Sequence, residues 1–360
     1  MNNFLPYPRG LYAKISALPG SLNVAHTIIS VAASANTSGS TLGATAEVAN
    51  GHAKGHANGH ANGHVGEEEG IELNMYKPHD KASNGVVVYL HGGGWTYFTA
   101  RQYHSTVSYI ADYCKITVVS VDYRKAPEDP FPAGLIDCYD GLLWVQRNSK
   151  ELGVDADKVF VMGDSAGGNL AAAVCLLHRD KRGLGLDGTG SSQPPPAAQI
   201  MIYPCLQGHD FQKGSYHDNK NNGLSREGMA TYTSLYLTSK LDHPTFGKPD
   251  LLPPLPTTPT TPYLHNTGEI TDIYNPYVFP LAPADLTHLP PAYIMIARFD
   301  VLRDDGERYA QRLEESGNKV VLSEDKGGVH GFMLNYHQTP HAKVNLMKIK
   351  DFMDSLMSEM

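Results

Sequence analysis

From Gly85 to the C-terminus, short β-branched apolar runs alternate with helical patterns, and this restricts the fold more than any other feature of the 360 residues. "GVVVYLHGGG" (residues 85–94), "ITVVSVDYR" (116–124), "KVFVMG", "AQIMIYP", "AYIMIAR" and "KVVLS" are short and apolar almost throughout. Such runs read as strands buried on both faces, as in a parallel sheet. Between them, residues 103–113, "FPAGLIDCYDGLLWVQRN", "GNLAAAVCLLHR", "DDGERYAQRLEESG" and the closing "HAKVNLMKIKDFMDSLM" carry helical spacing. The order predicts an α/β chain whose mostly parallel central sheet is covered by helices on both faces. Asp304 and Glu307 are spaced as a capping box for one helix, with Gly317 at its end. "IELNMYKP", from Ile71, reads as a half-buried strand preceding the alternation.

One long break interrupts the pattern. Residues 206–273 are rich in Pro, Thr, Tyr and His, with a helical stretch at 225–237 followed by "PPLPTTPTTP". An insertion of that length between two sheet strands reads as a lid or cap. Upstream, the chain divides into an N-terminal arm (1–36), a low-complexity segment (37–69) and the α/β domain (70–360). In the arm, "VAHTIISVAASA" is interrupted by His26, Thr27 and Ser30, too polar for a cleaved signal sequence. It reads as a helix or a disordered arm, available as a piece of the cap. The segment 37–69 is built on "GHAKGHANGHANGH", which sets His52, His56, His60 and His64 four residues apart. On a helix they would share a face and could hold a transition metal. A glycine in every repeat costs about 1 kcal/mol each in a helix, so a flexible linker is the stronger reading. No metal and no cofactor are expected.

The net charge of −8, with no basic block, argues against nucleic acid or an anionic membrane surface as partner. No run approaches the ~18 apolar residues of a membrane span. Cys114, Cys138, Cys175 and Cys205 lack metal-ligand spacing, which fits a reducing cytoplasm. The alternative is a secretory or endoplasmic-reticulum location, where the sequon at Asn36 would matter.

The chemistry concentrates in "VMGDSAGGNL". Gly163-Asp164-Ser165-Ala166-Gly167 places one serine between a strand and a helix, the setting of a nucleophile elbow. Glycines two residues to either side leave room for the tight turn. The N–H of Ala166, at the helix start, is free to face a developing oxyanion. "HGGGW" (91–95) ends the first buried strand, and its consecutive glycines let backbone N–H groups turn toward a ligand. A serine hydroxyl needs a base, and the base needs an orienting carboxylate. His330, between glycines in "GGVHGF", follows the last strand at its C-terminal edge. Asp300 follows "AYIMIAR" at the same edge, where open α/β sheets place their sites. Asp304 and Asp305 compete with it, although helix capping suits them better.

"HGGGW", "VDYRKAPEDPFPAG", "GDSAGGNLAA", "RFDVLRDDG" and "VHGF" resemble the hormone-sensitive-lipase family of α/β-hydrolases, especially its arylacetamide-deacetylase branch. The resemblance runs from about Ile71 to the C-terminus. It implies Ser165 as nucleophile, His330 as general base and acid, and Asp300 as the orienting carboxylate. It also implies an oxyanion hole from the N–H groups of Gly93, Gly94 and Ala166, with His91 shaping the loop. The implied activity is hydrolysis of small apolar esters, and of arylamides, by a serine carboxylesterase. An aromatic pocket is expected from Trp95, Tyr97, Phe98, Tyr203, Val301, Val329 and Phe332. A homodimer is compatible with the sequence. The membrane anchor of arylacetamide-deacetylase relatives has no counterpart here, and the His-Gly repeat stands where their strand before "IELNMYKP" is expected. Acyl transfer to an alcohol on the same three residues is the alternative activity. A non-catalytic receptor, as in some plant relatives, is disfavoured by the presence of His330.

Overall fold

The computed structural model describes residues 24–31, 48–49, 70–184, 193–239, 256, 258, 260–268, 270–282, 284–336 and 339–360. The repeat with His52, His56, His60 and His64, and the sequon at Asn36, lie outside the described residues.

In chain order the strands are β1 (Val24–Val31), β2 (Val48–Ala49), β3 (Ile71–Pro78), β4 (Val86–Leu90), β5 (Thr117–Asp122), β6 (Val159–Asp164), β7 (Ala198–Ile202), β8 (Ala292–Phe299) and β9 (Val320–Val329). The helices are α1 (His104–Cys114), α2 (Ala133–Arg147), α3 (Ser149–Leu152), α4 (Ala166–Leu184), α5 (Ser215–Asp218), α6 (Arg226–Thr238), α7 (Arg303–Glu315) and α8 (Pro340–Glu359). They surround one sheet of order β2-β1-β3-β5-β4-β6-β7-β8-β9, parallel from β5 to β9 and antiparallel at β1–β3.

The uniform apolarity of the central strands follows from their burial on both faces. In β4, Val86, Val88 and Leu90 join one core with Leu142 of α2, Leu170 of α4 and Leu313 of α7. Val87 and Tyr89 of the same strand point into a second core with Ile110 of α1 and Leu346 of α8. A strand between two helical layers leaves few positions for a polar side chain, and those in these strands, such as Ser120 and Gln199, are buried.

Strand order reverses around β4: β5 lies on one side of it and β6 on the other, with Leu90 opposite Gly163. The segments leaving β4 and β6 therefore emerge side by side at the C-terminal edge, where crevices form in such sheets. This brings "HGGGW" against the Ser165 turn.

Two expectations are corrected. The segment read as a helix or disordered arm is strand β1, antiparallel to the whole of β3 from Val24↔Pro78 to Val31↔Ile71. A strand from the arm, and not the repeat, thus precedes "IELNMYKP" in the sheet. The capping box at Asp304 and Glu307 does not form: α7 has Leu302 at its N-cap with no side-chain bond. Asp304 sits inside the first turn, and its carboxylate accepts the N–H of Ser215 at 2.9 Å. The expected helix at 225–237 is α6, where the Ser225 hydroxyl accepts the N–H of Gly228 at 3.0 Å. All four cysteines are buried free thiols, and burial pushes that of Cys114 up to about 12. Among the described residues, no helix is long and apolar enough to cross a membrane.

Candidate active site

Ser165 occupies the single residue between β6 and α4, at φ +55°. For a residue with a β-carbon this is a strained, left-handed backbone. The turn is held from both sides, since the Ser165 N–H donates to Ile202 O at 2.8 Å and its carbonyl accepts the Asn169 N–H at 3.0 Å. A β-carbon on Gly167 would run into the carbonyl of Leu90, and one on Gly163 into the carbonyl of Gly167. The two glycines therefore let helix α4 start against β4.

His330 leaves β9 on a turn completed by Gly331, which has φ +81°. Its Nε2 lies 2.9 Å from Ser165 Oγ, and its Nδ1 lies 2.7 Å from Asp300 Oδ2. An ionised carboxylate can only accept, so Nδ1 carries the proton and Nε2 is left to accept from the serine hydroxyl. Asp300 is buried, and its second oxygen accepts the Leu302 N–H at 3.0 Å. The competing acids turn elsewhere: Asp304 to Ser215 and Arg303, and Asp305 to the N–H groups of Leu206 and Gln207. Of the three carboxylates, Asp300 is the one that the structure brings to His330.

The glycine loop faces this chain from β4. His91 is fully buried, its Nδ1–H donates to Gly92 O at 2.8 Å, and its ring stacks on Tyr123 at 4.3 Å. Burial, reinforced by Lys125, pushes its pKa down to about 3, so the ring is neutral. Tyr123 secures the same turn by donating to the His91 carbonyl at 2.8 Å. Gly93 and Gly94 follow at φ +117° and +60°. A β-carbon on Gly94 would come within 2.6 Å of the Tyr232 ring, so glycine is required both for the dihedral and for the space.

Ser165, His330, Gly93, Gly94 and Ala166 open onto one small cavity of about 70 Å³. Of the aromatic residues expected around it, Trp95, Tyr97, Phe98 and Tyr203 line it. The Trp95 ring is itself buried, stacked on Tyr236 at 4.5 Å. Val301, Val329 and Phe332 are not lining residues. Val301 packs in the core, Phe332 sits behind Tyr203 at 5.8 Å, and Val329 is exposed to solvent. Sequence reasoning missed Tyr103, Cys205 and Leu334, and also Leu224, Met229 and Tyr232 of the insertion. For Met229 and Tyr232 the sequence signal is the helical pattern expected at 225–237, and Leu224 lies just before it.

The family model for the α/β hydrolase fold matches residues 87–261 and 262–334. This chain is an α/β-hydrolase. Within that fold it belongs with the hormone-sensitive-lipase-like enzymes. The hydrolase is 32% identical over 267 residues to an arylesterase of Saccharolobus solfataricus, covering 74% of each chain. It is also 32% identical to arylacetamide deacetylase of Bos taurus, covering 72% of each. Among solved structures, a hyperthermophilic esterase from Pyrobaculum calidifontis matches it with a TM-score of 0.65 and 32% identity, covering 80% of each chain.

Proposed function

We propose that this hydrolase is a serine carboxylesterase, cleaving esters of small to medium apolar acyl groups through an acyl-serine intermediate. The supporting observation is the hydrogen-bonded chain Ser165–His330–Asp300, which opens onto an apolar, aromatic cavity. In the acylation step, Ser165 Oγ attacks the ester carbonyl carbon while His330 Nε2 takes its proton. The carbonyl oxygen becomes an oxyanion, stabilised by the N–H groups of Gly93, Gly94 and Ala166. As the carbon–oxygen bond breaks, the imidazolium returns the proton to the leaving alcohol. Water then attacks the acyl-serine with His330 again as base, releasing the carboxylic acid and Ser165. Asp300 keeps the imidazole in the tautomer with Nε2 unprotonated and stabilises the imidazolium. Arylamides follow the same route, with an amine as the protonated leaving group.

Ser165→Ala tests this reading. Loss of a triad nucleophile typically costs on the order of 10⁴ to 10⁶ in turnover. Hydrolysis of p-nitrophenyl acetate should fall by that much, with covalent labelling by a fluorophosphonate abolished and the melting temperature unchanged. Retention of more than about a tenth of the turnover would overturn it.

A further inference from the structure

The insertion that lines the cavity also grips the turn that carries Asp300. Asn219 Nδ2 donates to the carbonyl of Asp300 at 3.0 Å and lies 3.4 Å from that of Arg298. Just upstream, the hydroxyl of Ser215 donates to the carbonyl of Val301 at 2.6 Å and accepts the N–H of Asp304 at 3.1 Å. The exchange is reciprocal, because Asp304 Oδ2 accepts the Ser215 N–H at 2.9 Å. One residue on, Asp305 Oδ2 accepts the N–H groups of Leu206 and Gln207 at 3.0 and 3.3 Å and the hydroxyl of Tyr216 at 3.2 Å. Ser215, Tyr216, Asn219 and Asp305 are all buried, so breaking these bonds would strand their partners away from water.

A lid swinging from residue 206 would have to release every one of these bonds. We infer that residues 206–219 are a fixed support for the acid turn, with Asn219 and Ser215 as positioning residues that set Asp300 against His330. The inference rests on Ser165, His330 and Asp300 acting as the triad. The consequence is kinetic. Neither Asn219 nor Ser215 lines the cavity, so their loss leaves substrate binding intact. It lets the acid turn drift, and a displacement of ~1 Å in such a constellation costs on the order of 10²-fold in rate.

The test compares Asn219→Leu, which keeps the side-chain shape and removes the donor, with Ser215→Ala. Both are assayed on p-nitrophenyl acetate, with kcat expressed per serine titrated to completion by a fluorophosphonate. The expected result is a drop in kcat of roughly 10-fold or more with KM within about two-fold, and a parallel slowing of phosphonylation. A lower melting temperature with wild-type kcat per titrated serine would overturn the inference, leaving only a structural role. Should Asn219→Leu fail to fold, Ser215→Ala decides on the same terms. Ser165→Ala is run alongside: if it still hydrolyses the ester, the triad reading itself falls, and an active Ser165→Ala is distinct from an unaffected Asn219→Leu.

Discussion

The carboxylate of Asp164 accepts the backbone N–H of Gly92 at 3.0 Å, so one buried side chain joins the Ser165 turn to the glycine loop. The same oxygen accepts the Tyr89 hydroxyl at 2.8 Å, and the other accepts the Tyr103 hydroxyl at 2.9 Å. Burial raises the pKa of this acid, while the two tyrosines and Gly92 hold it down. The serine and the amides expected to meet the oxyanion thus share one buried side chain as anchor.

Asp164→Ala should therefore damage both stability and turnover. It strands three buried donors, each costing roughly 1–3 kcal/mol. Asp164→Asn keeps an oxygen for Gly92 and Tyr89, and its amide can donate to a rotated Tyr103 hydroxyl. Thermal melts and ester kinetics should rank the two clearly, with Ala losing about 10²-fold in kcat and Asn about 10-fold or less. Wild-type kcat in a folded Asp164→Ala protein would show that the anchor does not matter to the reaction.

The stability of the fold should carry a pH signature from Asp305. Burial pushes its pKa from 3.8 up to about 7, against the pull of Leu206, Tyr216 and Gln207. Between these two values the folded chain holds a proton that the unfolded chain has lost. Stability therefore falls as pH rises through that window, and the full penalty, on the order of 4 kcal/mol, stands above about 7. His91 has the opposite sign. Its folded value of about 3 against 6.5 means that acidification below 6.5 protonates only the unfolded state and lowers stability. All three bonds to Asp305 use Oδ2, so Asp305→Asn can retain them. That variant should melt a few degrees higher than the parent at pH 8, with the gap closing toward pH 4. It should also lose stability more steeply on acidification from pH 6.5, since the contribution opposing His91 is gone. Melting curves that keep a constant offset across pH would contradict this assignment.

Tyr232 should set the limit on acyl length. Its ring covers Gly94 and meets Tyr97 edge-on at 5.9 Å, closing the cavity on the side of α6. Tyr232→Ala opens that side, and each further buried methylene contributes about 0.8 kcal/mol. The kcat/KM ratio of p-nitrophenyl octanoate to acetate should rise by roughly 10-fold or more. An unchanged chain-length profile would place the limit elsewhere.

What the sequence made legible divides along the distance over which each feature is determined. The strands from β4 onward are local patterns, and they form where the short apolar runs lie. Asp304 and Asp305 compete with Asp300 in the sequence because they follow it closely after β8, and the fold brings the Asp300 carboxylate to His330. Val301 follows Asp300 directly, but a neighbour of a site residue need not share its direction, and its side chain enters the core. Leu224, Met229 and Tyr232 reach Ser165 from about 60 residues away through the folding of the insertion, which no local pattern encodes. Strand β1 escaped notice because it lies near the sheet edge with only Ile29 buried, so His26, Thr27 and Ser30 disguise it.

That strand gives the segment 36–69 a specific test. Val31 and Ile71 are directly opposed in the β1–β3 register, so the ends that this segment joins are already neighbours. Deleting residues 36–69 leaves Ala32, Ala33, Ser34, Ala35 and Gly70 between them, a five-residue connection. Loops of that length close antiparallel pairs readily, and a shorter loop lowers the entropic cost of closure slightly. The deletion also removes β2, whose two residues pair, among the described residues, with Ile28 and Ile29 of β1. β1 itself retains its whole pairing with β3, and the residues lining the cavity are untouched. The shortened chain should therefore keep kcat and KM within a few-fold of the parent and melt within a few degrees of it. A collapse of kcat at unchanged melting temperature would show that the deleted segment acts on the site. Loss of activity on treating the parent chain with a chelator, absent from the deletion, would instead assign the segment's four histidines to a metal.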